Sequence, residues 1–103
     1  MTQIKDIQPL EVWRIFDQML QTPRPSNHED KIQGWAVQFG RQAGLETFKD
    51  EAGNVIIKKP ASPGMENRPG VILQGHLDMV PQKNSDKVHD FETDRIDARV
   101  EGD

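Results

Sequence analysis

Apolar residues recur at spacings of three and four near the start of the chain: Val12, Trp13, Phe16, Met19 and Leu20. That period gathers them on one face and predicts an amphipathic helix from Pro9 to Gln21. Pro9 suits the first turn, where its missing N–H costs little. Pro23 and Pro25 stop the helix. The same period returns with Ile32, Trp35, Ala36, Phe39 and Ala43. Ser26 and Glu29 stand in the S-x-x-E spacing of a capping box, which predicts the start of this second helix. Gly44 is placed where a left-handed residue ends a helix. Gly34 and Gly40 weaken the helix by about 1 kcal/mol each against Ala where exposed, unless a small residue there serves close packing.

Beyond Gly44 the pattern shortens. Thr47 and Phe48 begin an extended segment, "DEAGN" (50–54) carries turn chemistry, and "VIIKK" (55–59) is β-branched, so a hairpin is expected. "PASPGMENRPG" (60–70) reads as a loop. The continuous apolar run in "VILQG" (71–75) fits a short strand buried on both faces, as in a parallel sheet covered by helices. Two helices followed by strands give an α/β class. From about residue 82 to 103 only Val88, Phe91, Ile96 and Val100 remain as anchors, and a weakly structured connection with at most one short strand is expected.

Composition narrows the partners more than the fold. The apolar residues Leu, Ile, Val and Phe make up 24 of 103 positions, just above the level at which charged chains stay disordered. The length expects one domain at most, with a small core. The net charge of −4 comes without any basic cluster. Nucleic acid is therefore excluded as a natural partner, since such binding rests on clustered positive charge. There is no cysteine, which removes disulfides, thiolate metal sites and cysteine nucleophiles. No apolar run approaches the ~20 residues of a membrane span. The N-terminus lacks the apolar core of a signal peptide. A soluble, cytoplasmic chain without membrane contact is expected.

The candidate chemistry lies at the end of "VILQGHLD". Functional residues of open α/β sheets gather at the carboxyl ends of strands. His76 and Asp78 stand there, and a spacing of two in extended backbone puts them on the same side. A metal-bound imidazole usually gives its other N–H to a carboxylate, which fixes the tautomer and the ring. Asp78 suits that role, or that of a ligand. The plainer alternative is a His–Asp hydrogen bond at a sheet edge. His28 reads as a solvated residue at a helix start. His89 is open between a surface residue and part of a substrate lip. Glu29 and Asp30 answer to the helix dipole. Trp13 and Trp35 are core residues first. P-loop, G-x-S-x-G and H-E-x-x-H motifs are absent from the sequence.

"GVILQGHLDMVPQKN" followed by "HDF", "TPRPSNHE" before the second helix and "DEAGNVII" with Asp50, Gly53 and Asn54 form a more specific set than any one of them. Together they resemble the cytosolic Xaa-His dipeptidases (aminoacyl-histidine or cytosol non-specific dipeptidases), within the co-catalytic zinc exopeptidases. The resemblance runs from about Leu10 to Ile96. It implies an α/β catalytic domain with two zinc ions, manganese or cobalt being alternatives, that hydrolyses dipeptides of Xaa-His or broader type. Within it His76 corresponds to the first metal ligand and Asp78 to the catalytic carboxylate that orients the imidazole. A dinuclear zinc centre would lower the pKa of its bridging water and clamp the reacting oxygens.

The family pattern also includes a bridging Asp in a G-A-D-N-G-like segment, a Glu pair, a later Asp, a last His and a separate domain for homodimerisation. None of these is found up to Asp103, and Arg95 stands where relatives carry Pro. The resemblance thus implies the N-terminal part of a zinc-exopeptidase catalytic domain (1–103), inactive alone. The alternative is a non-catalytic remnant or interaction module that keeps the scaffold. A strand at 71–74 with unpaired edges invites association. The chain is expected to be marginally stable and to self-associate. A sharp, cooperative unfolding transition of a monomer, followed by light scattering and circular dichroism, would contradict this.

Overall fold

In a computed structural model, which describes residues 2–102, Pro9 stands in extended conformation at the N-cap of the first helix, α1 (Leu10–Leu20). Its carbonyl accepts the N–H of Trp13 at 3.4 Å. A short 3-10 turn, Ile4–Asp6, packs against α1. The helix matches the expected span, but its inner face is turned from the one expected. Leu20 is buried and Leu10, Trp13, Ile15 and Met19 are half-buried, whereas Val12 is 56% exposed. Phe16 instead meets Trp13 edge to face, with ring centroids 5.6 Å apart. Such a pair contributes about 0.5–1.5 kcal/mol beyond area burial.

The chain forms two compact units, Met1–Ile32 with Asp78–Asp103, and Gln33–Leu77. The second helix, α2 (Asp30–Gln42), carries its inner stripe on Ile32, Ala36 and Gly40, all buried and four residues apart. The capping box does not form. Ser26 lies outside the helix, and its hydroxyl turns to Asp78. Glu29 reaches back to the N–H of Asn27 at 2.8 Å, and Asn27 has a positive φ of 73°. An Asn accepts that conformation more readily than most residues. The C-terminal signal holds fully. Gly44 takes φ 76°, its N–H reaches Arg41 O, and the N–H of Leu45 reaches Gly40 O, both at 3.0 Å. This pair of bonds is a Schellman closure.

In the unit Gln33–Leu77 the hairpin forms as expected. β1 (Glu46–Lys49) and β2 (Val55–Lys58) pair antiparallel with Phe48 opposite Ile56 and Thr47 opposite Ile57. The turn is closed by Asp50, whose carboxylate accepts both the backbone N–H and the side-chain amide of Asn54, at 2.8 and 2.9 Å. Gly53, at φ 91°, completes it. Gly40 brings α2 onto the hairpin: a Cβ there would lie 2.1 Å from Thr47 Oγ1 and 3.0 Å from Ile57 Cγ1. Lys58 caps the far side, with Nζ 5.5 Å from the centre of the Phe48 ring.

The buried strand expected at 71–74 is not there. Val71, Ile72 and Leu73 are 82, 92 and 93% exposed, and the two-stranded β1–β2 sheet is the one sheet among the described residues. A central strand needs a neighbour on each edge for its N–H and C=O groups, and no described strand lies beside this run. After Pro81 there is no regular element among the described residues, but there is local order. The Asp90 carboxylate accepts the N–H of Glu92, and the Asp94 carboxylate accepts that of Asp90. Phe91, Ile96 and Val100 are half-buried, while Val88 is fully exposed.

Two predictions come from the hairpin unit. Gly40→Ala forces Thr47 to shift and should destabilise the chain by about 1–3 kcal/mol. Gly34→Ala meets open space and should stabilise it by up to ~1 kcal/mol. Urea unfolding of both variants reads the opposite signs. The bonds from Asn54, led by its side-chain amide, hold the Asp50 carboxyl below its ordinary 3.8. A depressed carboxylate contributes stability above the unfolded pKa and loses it as pH falls through the folded one. The Asn54 amide resonance should therefore titrate below pH 3.8, and Asp50→Asn should remove that titration.

Candidate active site

The unit that contains Asp78 is organised around the C-terminal end of α1. Arg24 is only 8% exposed, although it is an arginine. Its guanidinium donates to the carbonyls of Met19 and, at 3.3 Å, Thr22. A cation at this end also suits the helix dipole. Burial pushes the guanidinium pKa below its usual value. Arg24 then passes order along its own backbone. Its carbonyl accepts the N–H of Met79 at 2.9 Å, and the N–H of Ser26 reaches Met79 O at 3.0 Å. Pro25 and Met79 thus form a parallel bridge. Pro25 tolerates this place because the flanking Arg24 and Ser26 supply the hydrogen-bonding groups.

The bridge brings Ser26 to Asp78. Ser26 Oγ donates to Asp78 Oδ2 at 2.5 Å, and both residues are half-buried. Asp78 is therefore a held group on an otherwise irregular segment. His76 lies on a stretch without regular structure near the end of the other unit and is exposed.

The remaining imidazoles share an open groove of the Asp78 unit, lined by Pro25, Ser26, His28, His89, Asp90 and Glu92 among others. His28 Nδ1 lies 3.2 Å from Glu92 Oε1, with both side chains more than half exposed. Lys31 Nζ donates to the Glu92 carbonyl at 3.1 Å. His89 meets Phe91 edge to face at 5.0 Å. His28 is thus exposed as expected and has an ionic neighbour besides. His89 is half-buried on the groove rather than free on the surface.

Imidazole and carboxylate are donors that zinc takes, but a zinc site draws on three or four protein ligands. Among the described residues no group of three or more His, Asp or Glu is placed to hold a metal ion. The described residues do not by themselves make up a zinc site. No helix among the described residues is long and apolar enough to cross a membrane.

No protein-family model matches the chain. Over 102 residues, 99% of its length, the chain is 43% identical to the cytosol non-specific dipeptidase of Escherichia coli (strain K12). The chain is similar to one fifth of a dipeptidase. It spans 21% of that protein's length. The crystal structure of aminoacylhistidine dipeptidase from Vibrio alginolyticus matches 98% of the chain with a TM-score of 0.92 at 44% identity, again over 21% of the larger chain. The dipeptidase resemblance read from the motifs is borne out, and so is the α/β class.

Two residues of this hydrogen-bonded cluster escaped the sequence reading. Ser26 read as a helix cap, because S-x-x-E is a local pattern and its actual partner is 52 residues away. Arg24 stands between Pro23 and Pro25, which read as a helix stop, and drew no reading of its own. Nothing in its neighbours announces burial; the helix end that receives it is visible only once α1 is folded.

Proposed function

We propose that the chain forms the first part of the catalytic domain of a metal-dependent dipeptidase of the cytoplasm. The observation that carries this is the 43% identity across 99% of the chain, supported by the hydrogen bond that Asp78 accepts from Ser26 beside the Pro25–Met79 bridge. In this reading His76 supplies the first metal ligand, and Asp78 orients its imidazole. Zinc is the metal that the family resemblance favours, with manganese or cobalt open, since ligand type does not fix the metal. The other ligands, the general base and the dimerisation surface belong to sequence corresponding to the other four fifths of the relatives. Dipeptides with a free amino end are the substrate class, and a homodimer is the assembly proposed for the whole protein.

The second reading, an interaction module without chemistry, is favoured by one observation: the exposed run Val71–Leu73. The two readings differ in whether the chain takes part in hydrolysis when joined to sequence corresponding to the rest of a relative. The 103-residue chain alone, with zinc added, should hydrolyse no dipeptide and should bind the metal weakly. Isothermal titration and a ninhydrin assay on His-containing and apolar dipeptides check both statements. Turnover above that of a His76→Ala control would contradict the proposed inactivity of the isolated chain.

A further inference from the structure

We infer that the cleft between the 3-10 turn, α1 and the tail binds a small dianionic oxyanion, a phosphate or a dicarboxylate, among Lys5, Arg95 and Arg99. The cleft measures about 320 Å³ and is lined by Gln3, Lys5, Asp17, Gln21, Arg95 and Arg99 among others. Small-molecule sites begin at about this size, ~300 Å³. The cleft lies within the unit Met1–Ile32 with Asp78–Asp103 and shares no lining residue with the groove of His28 and His89. The backbone sets the arrangement. The N–H of Ile96 bonds to Leu20 O at 2.9 Å, which lays Arg95 beside the end of α1. The 3-10 turn packs on the same helix and brings Lys5 to the cleft.

The charges leave room for an anion. Three cations line the cleft against one carboxylate, Asp17, in a chain whose net charge is −4. Like charges gathered in one cleft repel, and an anion among them removes that cost. Asp17 answers them weakly. Its Oδ2 already accepts from the Gln21 amide at 2.8 Å, and its Oδ1 lies 3.9 Å from Arg95 Nη2. Arg95 Nε stands 3.7 Å from Asp97 Oδ1. Both contacts are too long for hydrogen bonds, so the Arg95 fork has carboxylates near it and bonds to neither. Arg99 gives Nη2 to Glu101 at 2.5 Å and has further N–H donors on the same fork. Asp97 and Glu101 are exposed, and such pairs contribute little. The surplus of two positive charges in the lining suits a dianion better than a monoanion. An arginine fork takes two oxygens of a phosphate or a carboxylate side by side. Lys5 adds a point charge, and Gln3 and Gln21 add neutral amides.

The test titrates the 15N-labelled chain at neutral pH with sodium sulfate and, separately, with disodium succinate. Sodium chloride at equal ionic strength is the control, since screening alone acts on exposed charges. Sulfate stands for tetrahedral oxyanions and succinate for dicarboxylates. The amide resonances of Lys5, Arg95 and Arg99 should shift saturably with at least one of the two, with half-saturation at about 1 mM or below, and not with chloride. Lys5→Ala and Arg95→Ala should each raise the half-saturation point about fivefold or more. Asp17→Asn keeps an acceptor for Gln21 and should lower it about twofold or more. Asp86→Asn makes the same change of net charge on an exposed residue outside the lining and should leave it unchanged. Saturation by sulfate alone upholds the inference and assigns the site to phosphate or sulfate groups; saturation by succinate alone upholds it for dicarboxylates. Shifts that merely match those in chloride overturn it. An unmoved half-saturation point in folded Lys5→Ala or Arg95→Ala also overturns it, as does an Asp17→Asn chain that behaves like Asp86→Asn. Lys5 is exposed on a three-residue turn, so its substitution keeps the test decisive where Arg95→Ala unsettles the tail.

Discussion

The last turn of α1 leaves four carbonyls to be satisfied from outside the helix ladder, and the way they are satisfied organises the unit around them. Asp17 O and Gln18 O take the N–H of Gln21, and Gln18 O also takes the Thr22 hydroxyl. Met19 O takes the N–H of Thr22 and the Arg24 guanidinium. Leu20 O takes the N–H of Ile96 at 2.9 Å. Only the last two reach beyond the next few residues, and they have different consequences. Arg24 is drawn inward and its backbone becomes a template for Met79. Ile96 anchors a tail that has no helix or strand to anchor it. A buried guanidinium without acceptors would be costly. At this helix end the acceptors are already there, so the charge and the carbonyls satisfy each other.

From that helix end a single line of hydrogen bonds leads to Asp78. Arg24 holds Met79, Met79 holds Ser26, and Ser26 holds Asp78. Each step is a short-range bond between groups fixed by the one before. This explains how a carboxylate on a segment without regular structure is held in one direction. It also separates the roles of the carboxylates nearby. Glu92 and Asp90 line an exposed groove with His28 and His89, where water screens their charges and ion pairs contribute little. Asp78 is half-buried and engaged by a hydroxyl, where a hydrogen bond to charge is stronger.

What the sequence revealed was local. The helix α1, the Gly44 closure and the Asp50–Asn54 turn are each written in residues four or five apart, and each formed as read. Gly40 was legible as a choice between weakness and close packing, and Thr47 decides it. The failures share a cause. Ser26 and Glu29 carry a local signal that a distant partner overrides, since a charged acceptor competes well against a backbone N–H. Val12 and Phe16 fit a helical period, but a period gives a stripe and not the direction in which the stripe faces. The burial of Arg24 depends on a helix end, and the absence of a strand at 71–74 depends on missing neighbours; neither has a signature in the residues themselves.

The exposed run Val71–Leu73 and the likeness to a much longer chain bear on one another. The backbone follows that of a solved dipeptidase over 98% of its length, with a TM-score of 0.92, although it spans 21% of that protein. In that solved dipeptidase about four fifths of the chain lies outside the part matched here. Full burial of Val, Ile and Leu side chains contributes roughly 1.5–3 kcal/mol each. Three such residues together are comparable to the whole stability of a small domain, about 5–15 kcal/mol. The same run therefore acts in opposite directions: uncovered, it drives association; covered, it would anchor the segment that leads directly to His76. Asp78 is held by its own unit through Ser26, while the run before His76 has no such support. Within the "HLD" motif the carboxylate of Asp78 is tied to Ser26 Oγ, whereas the apolar run that leads to His76 lies open to solvent.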